Sequence, residues 1–484
     1  KQRKNPMGDN EKINLTMLTD FYELTMANGY FETGMADDIA YFDMFFRSVP
    51  DGGGFAVMAG VEQMIDYLDN LKFTDKDIDF LRSKGMFCEE FLEYLRNFKF
   101  SCDVWAVPEG TPIFPQEPIV TVKGPIIQAQ FVESMILLLI NHQSLIATKA
   151  NRIVRSAKGR GVMEFGTRRA HGTAAAVYGA RAAYIGGCIG TACTISDRDD
   201  GIAALGTMAH SWVQMYENEY EAFKKYAEIY PDNCVLLVDT YNVLKSGVPA
   251  AIRVFKEMKP SKMGIRIDSG DVTYLTKQAR KMLDEAGFED CSIVVSNSLD
   301  EYIIRDVLLE GACINSFGVG ERLITAKSEP VFGGVYKLAA LEKDGVMTPK
   351  MKISENVEKI TNPGFKSVFR IYDKTTNKAL ADVITLDGET IPEEDGYEIF
   401  DPKAVWKKKK LCNFYVKNLR VKLFDKGVKV YESPSVDEIR TYCAEQIDTL
   451  WDEMLRFDNP QTYYVDLSQD LWEMKNRIIS EHTF

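Results

Sequence analysis

The segment MGIRIDSGD, from Met263 to Asp271, joins a short apolar run to a charged turn, and a helical pattern follows it. The turn contains two carboxylates, Asp268 and Asp271, and Arg266 lies just before it. Its glycine and serine allow the backbone to approach a ligand closely. A strand that ends in such a turn suits a magnesium-bound phosphosugar, because Mg²⁺ prefers carboxylate and phosphate oxygens. The segment alone equally supports an alternative, in which Asp268 or Ser269 only caps the following helix.

The strand-then-helix pattern of this segment recurs between about residue 142 and residue 348. Short apolar runs alternate there with amphipathic helical stretches at intervals of about 20 to 30 residues. Strands are predicted at Gly161–Phe165, Tyr184–Cys188, Ala204–Met208, Cys234–Val238, Met263–Ile267, Cys291–Ser296, Cys313–Phe317 and Tyr336–Leu341. Helices are predicted at Ser211–Ile229, Asn242–Met258, Val272–Ala286 and Leu299–Leu309. This regular alternation favours a parallel sheet, and about seven or eight units favour a closed or irregular (β/α) barrel over an open sheet.

The N-terminal region, residues 1–141, lacks this alternation. It combines helical patterns, such as Leu18–Tyr30, with a predicted strand at Tyr41–Arg47. Between Val104 and Gly124, spaced Pro and Gly residues break the chain into short β segments. We therefore expect a small α+β domain.

The C-terminal extension, residues 349–484, loses the alternation again. It contains a predicted pair of strands, Asn413–Leu419 and Gly427–Tyr431, and a predicted helix, Val436–Arg456. We expect it to pack on the N-terminal region. The predicted fold class is therefore α/β: an irregular (β/α) barrel at residues 142–348 with a second α+β domain built from the N-terminal region and the C-terminal tail.

The composition is that of a globular protein and restricts its partners. The 484 residues carry a net charge of -13, which argues against nonspecific nucleic-acid binding. A basic cluster, Lys407–Lys410, is explained most simply as a solvated loop. The apolar run Phe131–Ile140 contains Glu133 and is too short to span a bilayer, so we expect a buried helix and no membrane partner. Nine cysteines without C-x-x-C pairs, and no recognisable secretion signal, favour a cytoplasmic protein.

Polar residues and glycines follow most of the predicted strands. They are Gly166 and Arg168; Gly190 and Thr191; Thr207 and His210; Asp239 and Tyr241; Asp268 and Asp271; Ser296, Asn297 and Ser298; and Gly318, Gly320 and Glu321. In a (β/α) barrel these strand ends meet at one face, where ligands bind. The pattern therefore predicts one phosphorylated ligand contacted from several sides.

The two commonest nucleotide-binding motifs are missing from the sequence. No G-x-x-x-x-G-K-[ST] P-loop occurs, and no G-x-G-x-x-G follows a strand in the required context. The segment VLLVDTYN, Val235–Asn242, resembles the acidic loop that binds phosphoribosyl pyrophosphate in open-sheet phosphoribosyltransferases. Thr240 stands where those enzymes have a second acid, which weakens that likeness.

His210 is one of only four histidines and follows a predicted strand. A lone histidine is more often a cap or a structural hydrogen-bonding group than a functional one, but its place among the strand ends favours function. Arg168, Arg169 and Arg266 have two interpretations as well. They are either surface charges or, as two arginine-bearing turns at one face, ligands for a carboxylate or phosphate that guanidinium binds bidentately.

Seven motifs together resemble one family. In chain order they are TDFYELTMANGY (19–30), YFDMFFRSVPDGGGFAVMAGVEQ (41–63), EFGTRRAHG (164–172), GTMAHSW (206–212), LVDTYN (237–242), RIDSGD (266–271) and FGVGERLIT (317–325). They are similar to the nicotinate phosphoribosyltransferases, and the likeness covers nearly the whole chain. The resemblance implies condensation of nicotinate with phosphoribosyl pyrophosphate, giving nicotinate mononucleotide and pyrophosphate in NAD salvage. It also implies coupling to ATP hydrolysis, Mg²⁺ as cofactor and a homodimer with shared active sites.

The resemblance also assigns roles to individual residues. His210 matches the histidine that ATP phosphorylates, and Asp268 is expected at the ribose or the Mg²⁺. For nicotinate, the family pattern places Phe165 on one face of the ring and Tyr22 of a second subunit on the other. Further residues implied for nicotinate are Arg168, Thr207 and Arg266. Those implied for the phosphoribosyl group are Ser296, Asn297, Ser298, Gly318, Gly320 and Glu321.

Three positions bear on how far the resemblance extends. Family members often carry Thr where Glu321 stands and Asp where Asn242 stands, so we expect the contacts at those two positions to differ from the family pattern. Relatives that use nicotinamide place an Asp at the position of Ala192, and its absence favours a carboxylate substrate. The alternatives are a nicotinamide or quinolinate phosphoribosyltransferase on the same fold, or a non-catalytic regulator that binds pyridine nucleotides.

Overall fold

The structure is a computed structural model that describes residues 14–356 and 359–482. Its first part alternates helices with short strands. These are α1 (Phe21–Glu32), β1 (Ile39–Phe45), β2 (Ala56–Val57), α2 (Val61–Asp69), α3 (Asp75–Ser83), α4 (Glu89–Arg96), β3 (Asp103–Ala106), β4 (Pro112–Ile113), β5 (Val120–Pro125), α5 (Ile126–Phe131) and α6 (Glu133–Ser156).

The middle of the chain alternates strands and helices more regularly. Its elements are β6 (Gly161–Glu164), α7 (Thr173–Ile185), β7 (Gly190–Thr191), α8 (Thr194–Asp200), α9 (His210–Gln214), α10 (Glu219–Ile229), β8 (Cys234–Leu237), α11 (Val248–Met258), β9 (Met263–Ile267), α12 (Val272–Glu285), β10 (Ser292–Ser296), α13 (Glu301–Leu309), β11 (Ser316–Val319) and α14 (Glu321–Ile324). A 3₁₀ turn at Thr167–Arg169 follows β6, and a π-helical turn at Val243–Gly247 precedes α11.

The last part of the chain is rich in strands. Its elements are β12 (Val335–Lys343), β13 (Val346–Pro349), β14 (Lys366–Asp373), β15 (Ala379–Leu386), β16 (Tyr397–Asp401), β17 (Ala404–Leu411), β18 (Phe414–Asn418), β19 (Val421–Asp425), β20 (Val428–Lys429), α15 (Val436–Asp448), β21 (Val465–Leu467) and α16 (Gln469–Glu481).

The chain divides into two compact units. One unit, residues 143–330 and 435–444, contains a six-stranded parallel sheet in the order β7-β6-β11-β10-β9-β8. Helices connect its strands, as parallel pairing requires. Strands such as β9 and β10 are largely buried and read as continuous apolar runs, which is typical of a sheet covered on both faces. The sheet is a half-barrel whose edges are β7 and β8, so the predicted α/β class with an irregular (β/α) barrel is confirmed.

Three predicted barrel strands are wrong. Tyr184 lies in α7, because the alanine-rich run before it favours helix and Gly186 and Gly187 end that helix. Ala204 makes only one parallel bridge, to Thr191, before the chain leaves the sheet at a glycine. The run at Tyr336–Leu341 does form a strand, β12, but it pairs antiparallel in the other unit.

Several helix boundaries also differ from the predicted ones. The helix predicted at Ser211–Ile229 is two helices, because Asn218 caps α10 by accepting a hydrogen bond from the Glu221 amide at 3.0 Å. The helix predicted at Val436–Arg456 ends at Asp448, and a 3₁₀ turn at Asp452–Leu455 follows.

In the described ranges, the other unit comprises residues 14–142, 331–356, 359–434 and 445–482. Its largest sheet has seven strands in the order β13-β12-β1-β5-β3-β19-β20, and a second has four in the order β18-β14-β15-β21. The C-terminal extension pairs with the N-terminal region, since β19 lies antiparallel to β3. Between Pro349 and its end, the described chain forms eight strands instead of the predicted pair, because Pro- and Gly-containing turns interrupt any sustained alternation.

Two further expectations, one about the basic cluster and one about the long apolar run, can be compared with the structure. The basic cluster Lys407–Lys410 is not a loop but lies in β17, with its lysine side chains exposed as is common on edge strands. The predicted buried helix at Phe131–Ile140 lies within a helical stretch, 126–156, that is long and apolar enough to cross a membrane. In its most apolar window 72% is buried inside the protein, as in a core helix.

Candidate active site

The carboxyl ends of β6, β8, β9, β10 and β11 lie at one edge of the parallel sheet. This edge brings together most of the polar residues that the sequence singled out. The turns after the strands begin with Phe165, Val238, Asp268, Asn297 and Gly320. The structure therefore contains one cluster of polar side chains there, and its centre is the turn after β9.

Arg266 is the most extensively hydrogen-bonded side chain of this cluster. Its Nε donates to Ser296 Oγ at 2.9 Å, and its Nη2 donates to Asp268 Oδ1 at 3.1 Å. Its Nη1 makes longer bonds to Thr207 Oγ1 at 3.3 Å and to the Met208 carbonyl at 3.4 Å. Ser296 Oγ in turn donates to Asp268 Oδ1. The guanidinium is thus held in one plane between two neighbouring strand ends.

Asp239, which follows β8, ties its turn to the turn after β9. Its Oδ2 accepts hydrogen bonds from the Asp268 amide at 3.0 Å and from Ser269 Oγ at 2.6 Å. Its Oδ1 is buried and has no hydrogen-bond partner in the described part of the chain. A buried carboxylate oxygen without a donor is costly, so this atom is available to a ligand or cation.

His210 begins α9 and faces both of these turns. Its Nδ1 lies 3.2 Å from Thr240 Oγ1, and its Nε2 lies 3.8 Å from Asp268 Oδ2. The side chain is 40% exposed, so a phosphate donor can reach the ring from solvent. The hydroxyl of Thr240 holds one ring nitrogen and leaves the other facing the carboxylate of Asp268.

Phe165 forms an apolar surface beside Arg266. The guanidinium carbon of Arg266 lies 5.6 Å from the centre of the Phe165 ring. The Phe165 amide donates to the Val319 carbonyl at 2.7 Å. Gly318 lies against the ring, because a Cβ built at that position would come within 2.4 Å of the ring atom Cδ2. A flat aromatic face and a cation are therefore adjacent, which suits a planar ring that bears a carboxylate.

The turn after β10 has an unusual backbone. Asn297 and Ser298 both have positive φ, 85° and 54°, and both are exposed. Asparagine tolerates the left-handed region, but serine seldom adopts it, and such conformations concentrate at functional sites. In the turn after β11, Glu321 pairs with Lys327 at 2.7 Å, which lowers the pKa of its carboxyl.

Two of the predicted residues are not joined to this cluster by any described hydrogen bond or ion pair. Arg168 is exposed on the 3₁₀ turn after β6. Tyr22 is in the other unit, on α1, and is 45% exposed. The capping alternative for Asp268 and Ser269 is wrong, because Asp271 caps α12 by accepting from the Tyr274 amide at 2.9 Å.

Two residues of this region, Thr240 and Glu164, were not among the predicted candidates, and Asp239 was a strand-end candidate without an assigned role. Asp239 directly follows the end of a predicted strand, so its position was the signal that identified it as a candidate. Thr240 was noted only as a missing acid. Glu164 is fully buried at the end of β6, and nothing in its sequence context distinguishes it from a solvent-facing glutamate.

Comparisons with known proteins agree with this architecture. The family model described as the nicotinate phosphoribosyltransferase N-terminal domain matches residues 17–141, and the model of the family's C-terminal domain matches residues 365–475. Nicotinate phosphoribosyltransferase of Bacillus subtilis (strain 168) is 44% identical over 469 residues, which cover 96% of each chain. The human nicotinate phosphoribosyltransferase is 30% identical and also covers 96% of each chain.

The crystal structure of human nicotinic acid phosphoribosyltransferase superimposes with a TM-score of 0.84 at 28% identity. It covers 96% of this chain and 100% of the human one. The similarity in sequence and in structure extends over nearly the full length of the protein, and the chain therefore belongs to the nicotinate phosphoribosyltransferase family.

Proposed function

We propose that the chain transfers the phosphoribosyl group of phosphoribosyl pyrophosphate to the ring nitrogen of nicotinate, giving nicotinate mononucleotide and pyrophosphate. The observation that carries this proposal is the network of Arg266, Ser296 and Asp268, which lies beside the ring of Phe165. A cation beside an aromatic face suits nicotinate, and a carboxylate one turn away suits a ribose. The reaction belongs to NAD salvage, and nine free cysteines fit a reducing, cytoplasmic compartment.

In this proposal nicotinate stacks on Phe165 with its carboxylate toward Arg266 and Thr207. Stacking on one aromatic face orients the ring, and the guanidinium neutralises the carboxylate. Arg168 is exposed at the same edge and adds positive charge at the entrance. The pyridine nitrogen is then free to attack the anomeric carbon of the ribose.

The phosphoribosyl group occupies the turns after β9, β10 and β11. Asp268 faces the ribose, and the backbone of Asn297, Ser298 and Gly320 offers amides to the 5'-phosphate, as loops at the ends of parallel strands commonly do. Glu321 is the departure from the family pattern there. Its ion pair with Lys327 directs its carboxylate to a neighbouring lysine, so it need not repel the phosphate.

Mg²⁺ fits this edge of the sheet as a substrate-borne ion. Within the described ranges no group of three or more His, Cys, Asp or Glu side chains is arranged to hold a metal. Mg²⁺ is, however, usually bound by one or two carboxylates together with substrate phosphates and water. The unpartnered Oδ1 of Asp239 and the Oδ2 of Asp268 fit that role. The ion would neutralise the leaving pyrophosphate.

His210 is the proposed site of phosphorylation by ATP. A neutral imidazole is a nucleophile at physiological pH, and the phosphoramidate that it forms is labile. The ring is partly exposed and is held by Thr240, which supports attack from a defined direction. Transfer to nicotinate itself needs no essential general base, because the pyridine nitrogen is already nucleophilic. Carboxylates near the developing positive charge on the ribose lower the barrier electrostatically.

The test is a substrate assay on the purified full chain. Pyrophosphate release is measured with nicotinate, nicotinamide and quinolinate, each with phosphoribosyl pyrophosphate and Mg²⁺, with and without ATP. We expect turnover with nicotinate and stimulation by ATP. Turnover with nicotinamide or with quinolinate, but not with nicotinate, would overturn the substrate assignment. Absence of pyrophosphate release with every substrate would favour a non-catalytic regulator.

We also propose a homodimer in which Tyr22 of each subunit completes the nicotinate site of its partner. Four large apolar side chains on or beside α1 are exposed, Leu18, Phe21, Tyr22 and Met26, and a face of this kind marks interaction surfaces. The test mixes two inactive variants, Tyr22→Ala and Asp268→Ala. Recovery of activity in the mixture supports a shared site. No recovery of activity, despite demonstrated subunit exchange, would contradict the shared site.

A further inference from the structure

Glu164, the last residue of β6, is a buried carboxylate that the proposed reaction does not use. Its side chain has no exposed surface, which is unusual for glutamate. Oε1 accepts a hydrogen bond from the amide of Gly166, and Oε2 accepts one from Thr191 Oγ1 at 2.6 Å. Burial raises the pKa of the Glu164 carboxyl, while the bonds from Thr191 and Gly166 oppose that shift because they stabilise its charged form.

The two donors belong to two different strand ends. Gly166 follows Phe165 directly, so the bond to its amide fixes the backbone immediately after the aromatic residue. Thr191 ends the neighbouring edge strand β7, and its hydroxyl also accepts from the Cys193 amide at 3.0 Å. The main chain adds a third link, since the Ala192 amide donates to the Glu164 carbonyl at 2.8 Å.

The packing around Gly166 leaves little freedom in this arrangement. A Cβ at Gly166 would come within 2.6 Å of Ile324 and within 2.7 Å of Glu164 Oε1. Phe165 is also held by Val319 and Gly318, as described above. The position of its ring therefore depends on these contacts and on the hydrogen bond from the next residue's amide to the carboxylate of Glu164.

We infer that Glu164 is a positioning residue for pyridine binding. Glu164 holds the ring of Phe165 in the position where the substrate ring stacks. It also links that side of the site to the turn after β7. The inference rests on the proposed function, because it takes Phe165 to be the surface on which nicotinate stacks. Glu164 touches neither nicotinate nor the phosphoribosyl group, so its loss should weaken nicotinate binding and leave the rest of the site in place.

The test compares three variants of the full chain in steady-state assays, varying nicotinate and phosphoribosyl pyrophosphate separately. Glu164→Gln keeps the shape of the side chain but places an amide group against one of the two donors. Thr191→Val removes the hydroxyl donor without changing the size of the side chain, and Thr191→Ser is its matched control because it keeps the hydroxyl. Thermal unfolding of each variant accompanies the kinetics.

We expect Glu164→Gln and Thr191→Val to raise KM for nicotinate about tenfold, the order expected from losing one hydrogen bond to a charged group. Their kcat and their KM for phosphoribosyl pyrophosphate should stay within about twofold of the unmodified protein, because the phosphoribosyl side of the site is unchanged. Thr191→Ser should behave like the unmodified protein.

Four results would overturn the inference: an unchanged KM for nicotinate in both variants, equal losses for both substrates, an equal loss in Thr191→Ser, or variants that are unfolded at the assay temperature. The last would show that Glu164 only maintains the fold. Failure of the proposed function is distinct from all four, because the unmodified protein would then show no turnover with nicotinate.

Discussion

Replacement of Gly318 by alanine tests whether the ring of Phe165 is the surface that binds nicotinate. An ideal Cβ at this position would lie 2.4 Å from Cδ2 and 2.6 Å from Cε2 of that ring. Non-bonded carbon atoms normally approach to about 3.5–4.0 Å, so the ring must move by about 1 Å. A displacement of about 1 Å in a positioning group costs up to about 10²-fold in rate. We therefore expect kcat/KM for nicotinate to fall about 10- to 100-fold in Gly318→Ala.

Steady-state kinetics with nicotinate as the varied substrate measure this effect. Gly206→Ala is the matched control, because it adds the same methyl group where no atom lies within 4 Å. In a Phe165→Ala background the ring is gone, so adding Gly318→Ala should cost little further activity, and the two changes should be strongly non-additive. The reasoning is refuted if Gly318→Ala retains the original kinetics, or if it causes the same loss with and without the Phe165 ring.

Three further predictions concern the histidine, a buried carboxyl group and substrate choice. His210→Ala should abolish ATP hydrolysis and its stimulation while slow transfer continues at high substrate, and undiminished stimulation by ATP would exclude the phosphohistidine. Burial, together with the neighbouring Asp382, raises the pKa of the Glu117 carboxyl. The stability that this group contributes is therefore complete below its unfolded pKa and is lost as pH rises through its higher folded pKa. Glu117→Gln should therefore show a smaller fall in the free energy of unfolding, measured by urea titration, as pH rises above the unfolded pKa of glutamate, about 4.3, and an unchanged pH dependence would contradict this. Ala192→Asp should raise KM for nicotinate, because an added carboxylate repels the substrate's own, and an unchanged KM would place Ala192 away from the substrate carboxylate.

A strand of the parallel sheet could be predicted where clear turn residues bound it in the sequence. β9 was predicted with its observed bounds, Met263–Ile267, because its apolar run is flanked by a lysine and by the charged turn. The run at Tyr184–Cys188 is equally apolar but continues an alanine-rich helix, and periodicity alone does not separate the two states in such short runs. The sequence predicted β12 as a strand but placed it in the wrong sheet, because strand pairing depends on partners distant in sequence such as β1.

The sequence predicted which strand ends form the candidate site, but not the contacts between their side chains. Because all parallel strands end at one edge, the sequence placed Arg266, Asp268 and Ser296 near one another without knowledge of their contacts. Which oxygen accepts from which nitrogen depends on strand order, and β9 and β10 are neighbours only in the folded sheet. Glu164 escaped prediction for the same reason, since its partner Thr191 lies on a strand that was assigned to the wrong residues.

The hydrogen bonds of Arg266 restrict how the carboxylate of nicotinate would bind in the proposed function. Four of the five N–H groups of its guanidinium are used by Ser296, Asp268, Thr207 and the Met208 carbonyl, which leaves too few for a bidentate bond to a carboxylate. The bonds at Nη1 are the long ones, at 3.3 and 3.4 Å, and they join neutral acceptors. Bonds to a charged acceptor are roughly twice as strong, so a substrate carboxylate displaces these two first. The bonds at Nε and Nη2 then remain and keep the guanidinium oriented, which gives Ser296 and Asp268 a supporting role in the proposed binding of nicotinate.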